Sequence, residues 1–410
     1  MQNTSSVIDL LRSWVLCFYI LIYVYSNIIS QYYGVSPTVQ KILVITVFAI
    51  FTCILKVKRS NLKDINIFSV LFVVLLVLHF FLCPPYNFSV SHLLNILVLF
   101  LFAIKRFQYE SLKYISYAIK IAALVISISA YILYMKYGFY VRNEIIVDKQ
   151  LTSCIYSLCY VFCWIDIIFS SFNYAAKHNR KRLIELMSNI ICLLFILYSN
   201  FVIIGSKTSV FALPFVIFAL YINCKDDMKR HYKKILYITM IMSLLFLIFY
   251  SRTIFNDDIK EGINHLFNAQ IYELNRGNNR EITTFSVRSI IIEYCMNLFS
   301  QYPVLGIGLG NFDYYNRSMF STLKETESSV LSVITEGGIY YTLLLLWFYF
   351  ILIRKAICSL KKHFAYEYCI ALAIPVMFFV ICIGNDFMDN MYWLMMGISY
   401  SILYTKKVYK

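Results

Sequence analysis

The chain contains 410 residues, of which 60% are hydrophobic and only 14% are charged, and its mean hydropathy is +0.69. A soluble protein of this size could not cover its surface with so few charged residues, so the composition excludes a soluble globular fold. The net charge is +15, but the basic residues cluster between apolar runs, as the anionic cytoplasmic leaflet of a membrane favours. A nucleic acid is therefore not an expected partner.

Apolar runs of roughly span length recur along the whole chain. A membrane-crossing helix needs about twenty mostly apolar residues, which predicts an all-α integral membrane protein with about twelve transmembrane helices in a single membrane domain, 1–410. The first run lacks the basic n-region and small-residue cleavage site of a signal peptide, so we expect it to be a retained span. The predicted spans are 12–30, 38–55, 65–83, 91–104, 112–135, 151–171, 183–204, 209–223, 235–250, 330–353, 366–383 and 390–404.

The links between these runs alternate in lysine and arginine content. Cytoplasmic loops carry an excess of these residues, and a basic link follows each even-numbered span, while the links at 84–91 and 384–390 contain none. This pattern places both termini in the cytoplasm. It leaves one large outward-facing loop, 251–329, between the ninth and tenth helices, and a loop of this size is more typical of an enzyme than of a compact transporter.

Twelve cysteines raise the question of a disulfide framework or a metal site. No C-x-x-C pair with metal-binding spacing is present, so we expect no metal. Most of the cysteines fall inside apolar runs and are predicted to be small packing residues: Cys17, Cys53, Cys154, Cys159, Cys163, Cys192 and Cys382.

The outward loop contains an amphipathic segment followed by a glycine-rich turn. Residues 286–301 show helical spacing of apolar positions, with Ser286 as the expected N-cap; the apolar positions are Val287, Ile291, Tyr294, Cys295 and Leu298. Pro303 ends this helix, and the segment 303–312 then reads P-V-L-G-I-G-L-G-N-F. We favour a tight re-entrant turn packed on the helix bundle. A nucleotide-binding loop is the weaker alternative, because no strand precedes it and the G-x-G-x-x-G spacing is absent.

These residues resemble a known family. The segment 288–338 is similar to the O-antigen ligase and Wzy-type polymerase superfamily. The similar features are an amphipathic helix that begins with an arginine, a P-x-L-G-x-G-x-G-N-F turn, and a polar beginning of the next span, E-S-S-V-L at 327–331, which continues to Glu336-Gly337-Gly338. A second, weaker match is G-S-K-T-S at 205–209, which resembles the S-R-[GST] signature of the family with Lys207 in place of arginine. The ligase branch carries histidine followed by asparagine where this chain has Glu327-Ser328, so the likeness favours the repeat-unit polymerase branch.

The resemblance implies a GT-C-like, inverting, metal-independent membrane glycosyltransferase that needs no cofactor. Its substrates would be undecaprenyl-diphosphate-linked oligosaccharides, as both donor and acceptor, at the periplasmic face of a bacterial inner membrane. Its partners would be membrane lipids and, where present, a chain-length regulator and a flippase. The alternatives are a ligase that transfers finished polymer to lipid A core and, from a different class, a transporter or flippase of lipid-linked oligosaccharides. A transporter should show internal repeats and mid-membrane charges, which the sequence does not make evident.

Glycosyl transfer from a lipid diphosphate requires a base and a cationic clamp. Glu327 is the candidate base, with a first-turn carboxylate that stabilises the tenth span as the structural alternative. Arg288 is the candidate clamp, because guanidinium binds phosphate oxygens in a two-pronged geometry; the alternative is an interfacial anchor. For Arg276, Arg280 and Arg317 a solvated loop charge is the favoured alternative. The candidate substrate-binding residues are Lys207, Arg280, Arg317, Gly306, Gly308, Gly310 and Asn311.

Several buried polar residues need partners. Glu336 lies within the tenth span, where an unpaired charge costs about 3 kcal/mol or more, so it should face a polar cavity or a partner. Asp166 and Glu185 are expected to pair with the basic loop at 177–182. His79, near the outer Pro84-Pro85 turn, is favoured as a structural histidine.

Overall fold

The computed structural model describes residues 13–14, 16–25, 67–83, 109–137, 149–177, 180–200, 207–223, 237, 284–317, 328–384 and 390–404. Within these ranges all regular secondary structure is helical, and α-helical except for a π-helical turn at Ser199 and Asn200. The helices are α1 (Leu16–Tyr25), α2 (Ile67–Leu82), α3 (Tyr109–Tyr137), α4 (Lys149–Lys177), α5 (Arg180–Tyr198), α6 (Lys207–Asn223), α7 (Thr284–Gln301), α8 (Phe312–Arg317), α9 (Ser329–Lys362), α10 (Tyr366–Gly384) and α11 (Asn390–Tyr404).

The helices support the predicted class of protein. Among the described residues, three segments are long and apolar enough to cross a membrane, namely Ser111–Ile132, Leu151–Ser171 and Ser329–Lys362, and five further helices are apolar but shorter. Nine of the predicted spans coincide with a described helix. The spans predicted at 38–55 and 91–104 lie outside the described residues, as does 235–250 except for Tyr237. The chain is therefore an all-helical protein with the apolar helices of a membrane protein, while the total of twelve spans stays a prediction.

Helix α4 lies at the centre of the bundle. It packs against α3, α5, α6 and α10, and almost all of its apolar segment Leu151–Ser171 is buried. Small side chains such as Ser153, Cys154 and Ser157 are fully or almost fully buried along it. Because small residues let helix backbones approach closely, they explain how α4 can have neighbours on every side.

A buried charge network connects α3, α4 and α5. Lys120 Nζ lies 2.5 Å from Asp166 Oδ2 and 2.6 Å from Asn189 Oδ1. Lys113 Nζ lies 2.9 Å from Asp166 Oδ1 and 2.5 Å from Glu185 Oε1. The expectation that Asp166 pairs with the basic loop at 177–182 is therefore wrong, because its ion-pair partners are Lys113 and Lys120. Glu185 pairs with Lys113. These lysines lie on α3, whose packing places them against the same faces of α4 and α5.

Helix α9 contains a break around which α7, α8 and the turn between them are arranged. It extends to Lys362, beyond the predicted end at residue 353. The break lies at Gly338, where φ is 60° and ψ is −164°. Helices α7 and α8 and the turn between them pack beside this break.

Candidate functional site

The glycine turn joins α7 to α8 and has backbone angles that require glycine. The three alternating glycines, Gly306, Gly308 and Gly310, have φ values of 70°, 94° and 82°. Other L-residues adopt positive φ at a cost of roughly 1–2 kcal/mol each. The prediction of a tight packed turn is confirmed, and the three glycines are explained by the backbone path.

The break in α9 frees backbone groups that an intact helix would pair. In an uninterrupted helix, the N–H groups of Ile339 and Tyr340 would donate to the carbonyl oxygens four residues earlier. Here they donate instead to the carbonyl oxygens of Pro303 and Val304, at 2.9 and 3.0 Å. The carbonyl oxygens of Pro303 and Val304 thus take the place of those in the preceding turn of α9.

The carbonyl oxygens released by the break are paired by the same turn. The Ile307 N–H donates to the Thr335 carbonyl oxygen at 3.0 Å, and the Gly308 N–H donates to that of Glu336 at 2.9 Å. Two missing helical hydrogen bonds are thereby replaced by four bonds to the turn. Because buried backbone groups are costly when unpaired, this exchange makes a break inside a long apolar helix tolerable.

The side chain of Glu336 fastens the second half of the turn. Its carboxylate accepts the Gly310 N–H on Oε2 and the Phe312 N–H on Oε1, both at 3.0 Å, and the Ser332 hydroxyl on Oε2 at 3.3 Å. Glu336 is only 8% exposed. The expectation that it has a partner is confirmed, and that partner is the backbone of the turn. Backbone N–H groups hydrogen-bond well to a buried carboxylate because the acceptor is charged.

The turn and the break approach too closely for any side chain to separate them. A Cβ added at Gly306 would lie 2.3 Å from the Glu336 carbonyl oxygen, and one added at Gly338 would lie 2.5 Å from the Gly306 nitrogen. Both contacts are with backbone, which cannot rotate away. Each of the two glycines therefore lacks the side chain that would collide with the backbone around the other glycine.

Helix α2 supports the middle of the turn. His79 is fully buried, and its Nε2 lies 2.9 Å from the Leu305 carbonyl oxygen. Its ring stacks on Tyr340 and Tyr341, with centroid distances of 5.5 and 5.6 Å. The interpretation of His79 as a structural histidine is confirmed, since it joins α2 to both the turn and α9.

Helix α7 packs against the turn through its apolar face. Ile291, Cys295 and Leu298 form a small hydrophobic cluster with Ile307 and Phe312, which confirms the predicted amphipathic helix. The N-cap assignment was wrong, because α7 begins at Thr284 and Ser286 lies inside its first turn. Serine tolerates that position because the first N–H groups of a helix lack helical partners.

The burial of this cluster also alters a thiol. Burial raises the pKa of Cys295 to about 11, against a smaller lowering by the nearby Thr335 hydroxyl and with a further rise from the negative charge of Glu336. The thiol is 1% exposed. The reactivity of this thiol therefore indicates whether the turn is packed against α9, because displacement of the turn would expose the thiol to solvent.

Helices α7 and α9 run in the same direction. Cys295 contacts Thr335, and Pro303, beyond the end of α7, contacts Ile339, further along α9. Arg288 precedes Cys295 by the same seven residues, about 10 Å of helix, that separate Ser328 from Thr335. Arg288 thus lies two helical turns before Cys295 on α7, and Ser328 is the N-cap of α9.

The other predicted site residues divide into two groups. Gly306, Gly308, Gly310 and Asn311 come together in the turn, where the buried Asn311 side chain donates to the Ile307 carbonyl oxygen at 2.9 Å. The positively charged candidates stand on three different helices: Arg288 on α7, Arg317 at the end of α8 and Lys207 at the start of α6. Glu327, Arg276 and Arg280 lie outside the described residues.

The segment around Lys207 is anchored by a separate set of contacts. Ser209 is fully buried, and its hydroxyl accepts a hydrogen bond from Asn200 Nδ2 at 2.9 Å. Its carbonyl oxygen accepts one from the Ser157 hydroxyl at 3.3 Å. Ser209, the last residue of the G-S-K-T-S segment, is therefore held by α4 and by Asn200 just beyond α5, which are different from the elements that hold the turn.

The insertion of the turn into α9 was not foreseen from the sequence. The only sequence signals were an acidic residue in an apolar run and the Gly337-Gly338 pair beside it, which together mark a helix break with a polar partner. No family model and no curated protein matches the chain.

Proposed function

We propose that the chain is a membrane glycosyltransferase that joins undecaprenyl-diphosphate-linked oligosaccharide repeat units into an O-antigen or capsule-like polysaccharide. The observation that carries the proposal is the unit formed by α7, the glycine turn, α8 and the first turns of α9. This unit covers most of the 288–338 segment that resembles the polymerases. Within it the glycine turn lies directly against Glu336 and Gly338 of α9.

In this proposal the site lies where α7 and α9 begin. Arg288 holds the donor diphosphate, because a guanidinium keeps its charge and binds phosphate oxygens in pairs. Glu327, the residue before the N-cap of α9, takes the proton of the acceptor hydroxyl. The acceptor oxygen then forms a bond to the anomeric carbon of the donor, and the bond from that carbon to phosphate breaks. Undecaprenyl diphosphate leaves with the bonding electrons.

The glycine turn and Glu336 have a supporting role in this scheme. The four backbone bonds and the carboxylate bonds fix the turn that follows α7 against α9, so in this proposal they support the placement of Arg288 relative to Glu327. Correct placement of reacting groups contributes several kcal/mol to catalysis in general. The proposed topology has both termini in the cytoplasm and the 251–329 loop in the periplasm, where lipid-linked repeat units are available after flipping.

The test is a gel of surface polysaccharide from a strain lacking the chain, complemented with the intact or the Glu327→Gln form. The proposal predicts that the deletion leaves lipid A core with a single repeat unit and that only the intact form restores the ladder. Protein level is followed by immunoblot, and Glu325→Gln serves as the matched control two residues away. Bare core with accumulated carrier-linked polymer would identify a ligase instead. A normal ladder from Glu327→Gln would refute the proposed base.

A transporter of lipid-linked oligosaccharides is the second candidate, and one observation favours it. Lys113 and Lys120 on α3 meet Asp166 on α4 and Glu185 on α5 in the interior of the bundle. Buried ionisable groups inside membrane helices often mark ion or substrate pathways. The two lysines balance the two carboxylates, however, so a structural role accounts for them equally well. Movement of lipid-linked oligosaccharide across liposome membranes without chain growth would favour this candidate.

A further inference from the structure

Three cysteines meet in the interior of the helix bundle, away from the glycine turn. Cys159 and Cys163 are one helical turn apart on α4, and their Sγ atoms are 3.8 Å apart. Cys192 approaches from α5, and the three sulfur atoms all lie within 4.8 Å of one another. Cys159 and Cys163 are fully buried, while Cys192 is partly exposed. Two helices thus direct three thiols to one point.

The spacing of the sulfurs matches what a metal ion requires. A thiolate lies about 2.3 Å from a bound Zn²⁺, and a cuprous ion forms bonds of similar length. Three sulfurs around such an ion in a plane would therefore be about 4 Å apart. The observed separations need only small side-chain rotations to reach that arrangement, so the cluster is close to preorganised for three-coordinate binding.

A charged group lies beside the three thiols. The ammonium of Lys120, which bonds to Asp166 and Asn189, is near enough to Cys163 and Cys159 to interact with both electrostatically. Asp166 balances much of this charge, so the ammonium offsets only part of the cost of forming thiolates in the apolar interior. The charge network and the three thiols thus lie side by side across α3, α4 and α5.

A route from the surface of the described bundle leads to the cluster. A groove of about 600 Å³ between α3 and α5 is lined by Leu124, Met187, Ile191 and Cys192, among other residues. Met187 is 48% exposed, and it offers a thioether at the mouth of the groove. Thioethers and thiolates are the ligands that cuprous ion prefers. Cys192 therefore lies between the groove, which Met187 also lines, and the two buried thiols.

We propose that Cys159, Cys163 and Cys192 form a binding site for a cuprous ion, Cu(I). Structural zinc sites have four ligands, whereas among the described residues the group of potential metal ligands consists of these three cysteines. Three soft sulfur ligands suit a monovalent thiophilic ion better. On binding, sulfur–copper bonds form, and each thiol that becomes a thiolate releases its proton to solvent. The site is independent of the proposed glycosyltransferase activity.

The test is an anaerobic titration of the detergent-solubilised full chain with Cu(I), in competition with a chromophoric Cu(I) chelator. The intact chain should bind one tight equivalent. Cys163→Ser should weaken that binding by more than about 100-fold, since losing even a residue that only hydrogen-bonds to a metal ligand weakens metal binding by about 10–100-fold. Cys154→Ser is the matched control, because Cys154 is a buried cysteine on the same helix outside the cluster, and it should bind as the intact chain does. Equal loss in both variants, or no tight equivalent in the intact chain, would overturn the proposal.

A second measurement uses the unaltered protein and so does not depend on the folding of a variant. Maleimide labelling of individual cysteines is followed by peptide mass spectrometry with and without one equivalent of Cu(I). Cu(I) should protect Cys192 and leave the exposed Cys358 unchanged. Equal labelling of Cys192 in both samples would show that the bound ion, if any, resides on other cysteines and would refute the site.

Discussion

Replacing Glu336 with alanine should release the second half of the glycine turn from α9. The substitution removes the acceptor for the Gly310 and Phe312 N–H groups, each bonded at 3.0 Å. A buried donor left without a partner costs about 1–3 kcal/mol, so the two together cost about 2–6 kcal/mol. That is a large fraction of the total stability of an ordinary domain, about 5–15 kcal/mol.

The thiol of Cys295 provides the assay. In the intact protein its pKa is raised to about 11, so at pH 8 about one thiol in a thousand is the reactive thiolate. If the turn leaves, the pKa should return towards about 8.5, and the thiolate fraction should rise by about two hundredfold. The rate of maleimide labelling at Cys295, read by peptide mass spectrometry, should increase towards that limit. The pH profile should change too: the intact protein should react faster up to about pH 11, and the variant should level off near pH 8.5.

Two further variants make the result specific. Ser332→Ala removes only the 3.3 Å contact to Glu336 and should leave Cys295 protected. Glu336→Gln keeps one acceptor oxygen but presents an amide donor to the second N–H. The labelling rate of Cys295 in this variant should therefore lie between the rates in the Glu336→Ala and Ser332→Ala proteins. Unchanged labelling of Cys295 in a folded Glu336→Ala protein would refute the reasoning that this carboxylate seats the turn.

Three other perturbations test neighbouring parts of the fold by thermal unfolding in detergent. Gly338→Ala should cost at least about 2 kcal/mol, because it combines a positive φ with a backbone clash at 2.5 Å; an unshifted melting temperature would contradict the close approach. His79→Ala should cost about 1–3 kcal/mol, because the buried Leu305 carbonyl oxygen would keep only the weak 3.9 Å contact from Cys83 Sγ, and His79→Gln should recover part of the loss if the hydrogen bond matters more than the ring stacking. Lys120→Met should cost about 3–5 kcal/mol, as expected when one partner of a buried ion pair is removed, and the additional change Asp166→Asn should lessen the damage; a double variant less stable than the single one would contradict the pairing.

The sequence was sufficient to predict most of the helices that the structure describes. Long apolar runs left few alternatives to helices, and the apolar spacing of Ile291, Cys295 and Leu298 indicated which face of α7 is buried. The turn was also predictable, because a proline followed by alternating glycines prevents continuation of the helix. These features depend on neighbouring residues, so a single sequence contains them.

The partners of buried polar groups were harder to predict. Glu336 clearly needed a partner, but the N–H groups that it binds belong to Gly310 and Phe312, more than twenty residues earlier. Asp166 was assigned to the basic residues nearest in sequence, whereas its partners come from another helix. Likewise, the spacing of Cys159 and Cys163 places them on one helical face, but only the packing of α5 adds Cys192. Such pairings depend on helix rotation and register, which local patterns do not determine.

The most direct test of the proposed activity is chain growth by the purified protein. Lipid-linked oligosaccharides extracted from the deletion strain would be incubated with the detergent-solubilised intact chain, without added nucleotide and with a metal chelator present. The proposal predicts products that lengthen by one repeat unit at a time, with release of undecaprenyl diphosphate, and no lengthening with Glu327→Gln. If the intact, folded chain leaves the oligosaccharides at their original length, the proposal that this protein is a repeat-unit polymerase is wrong.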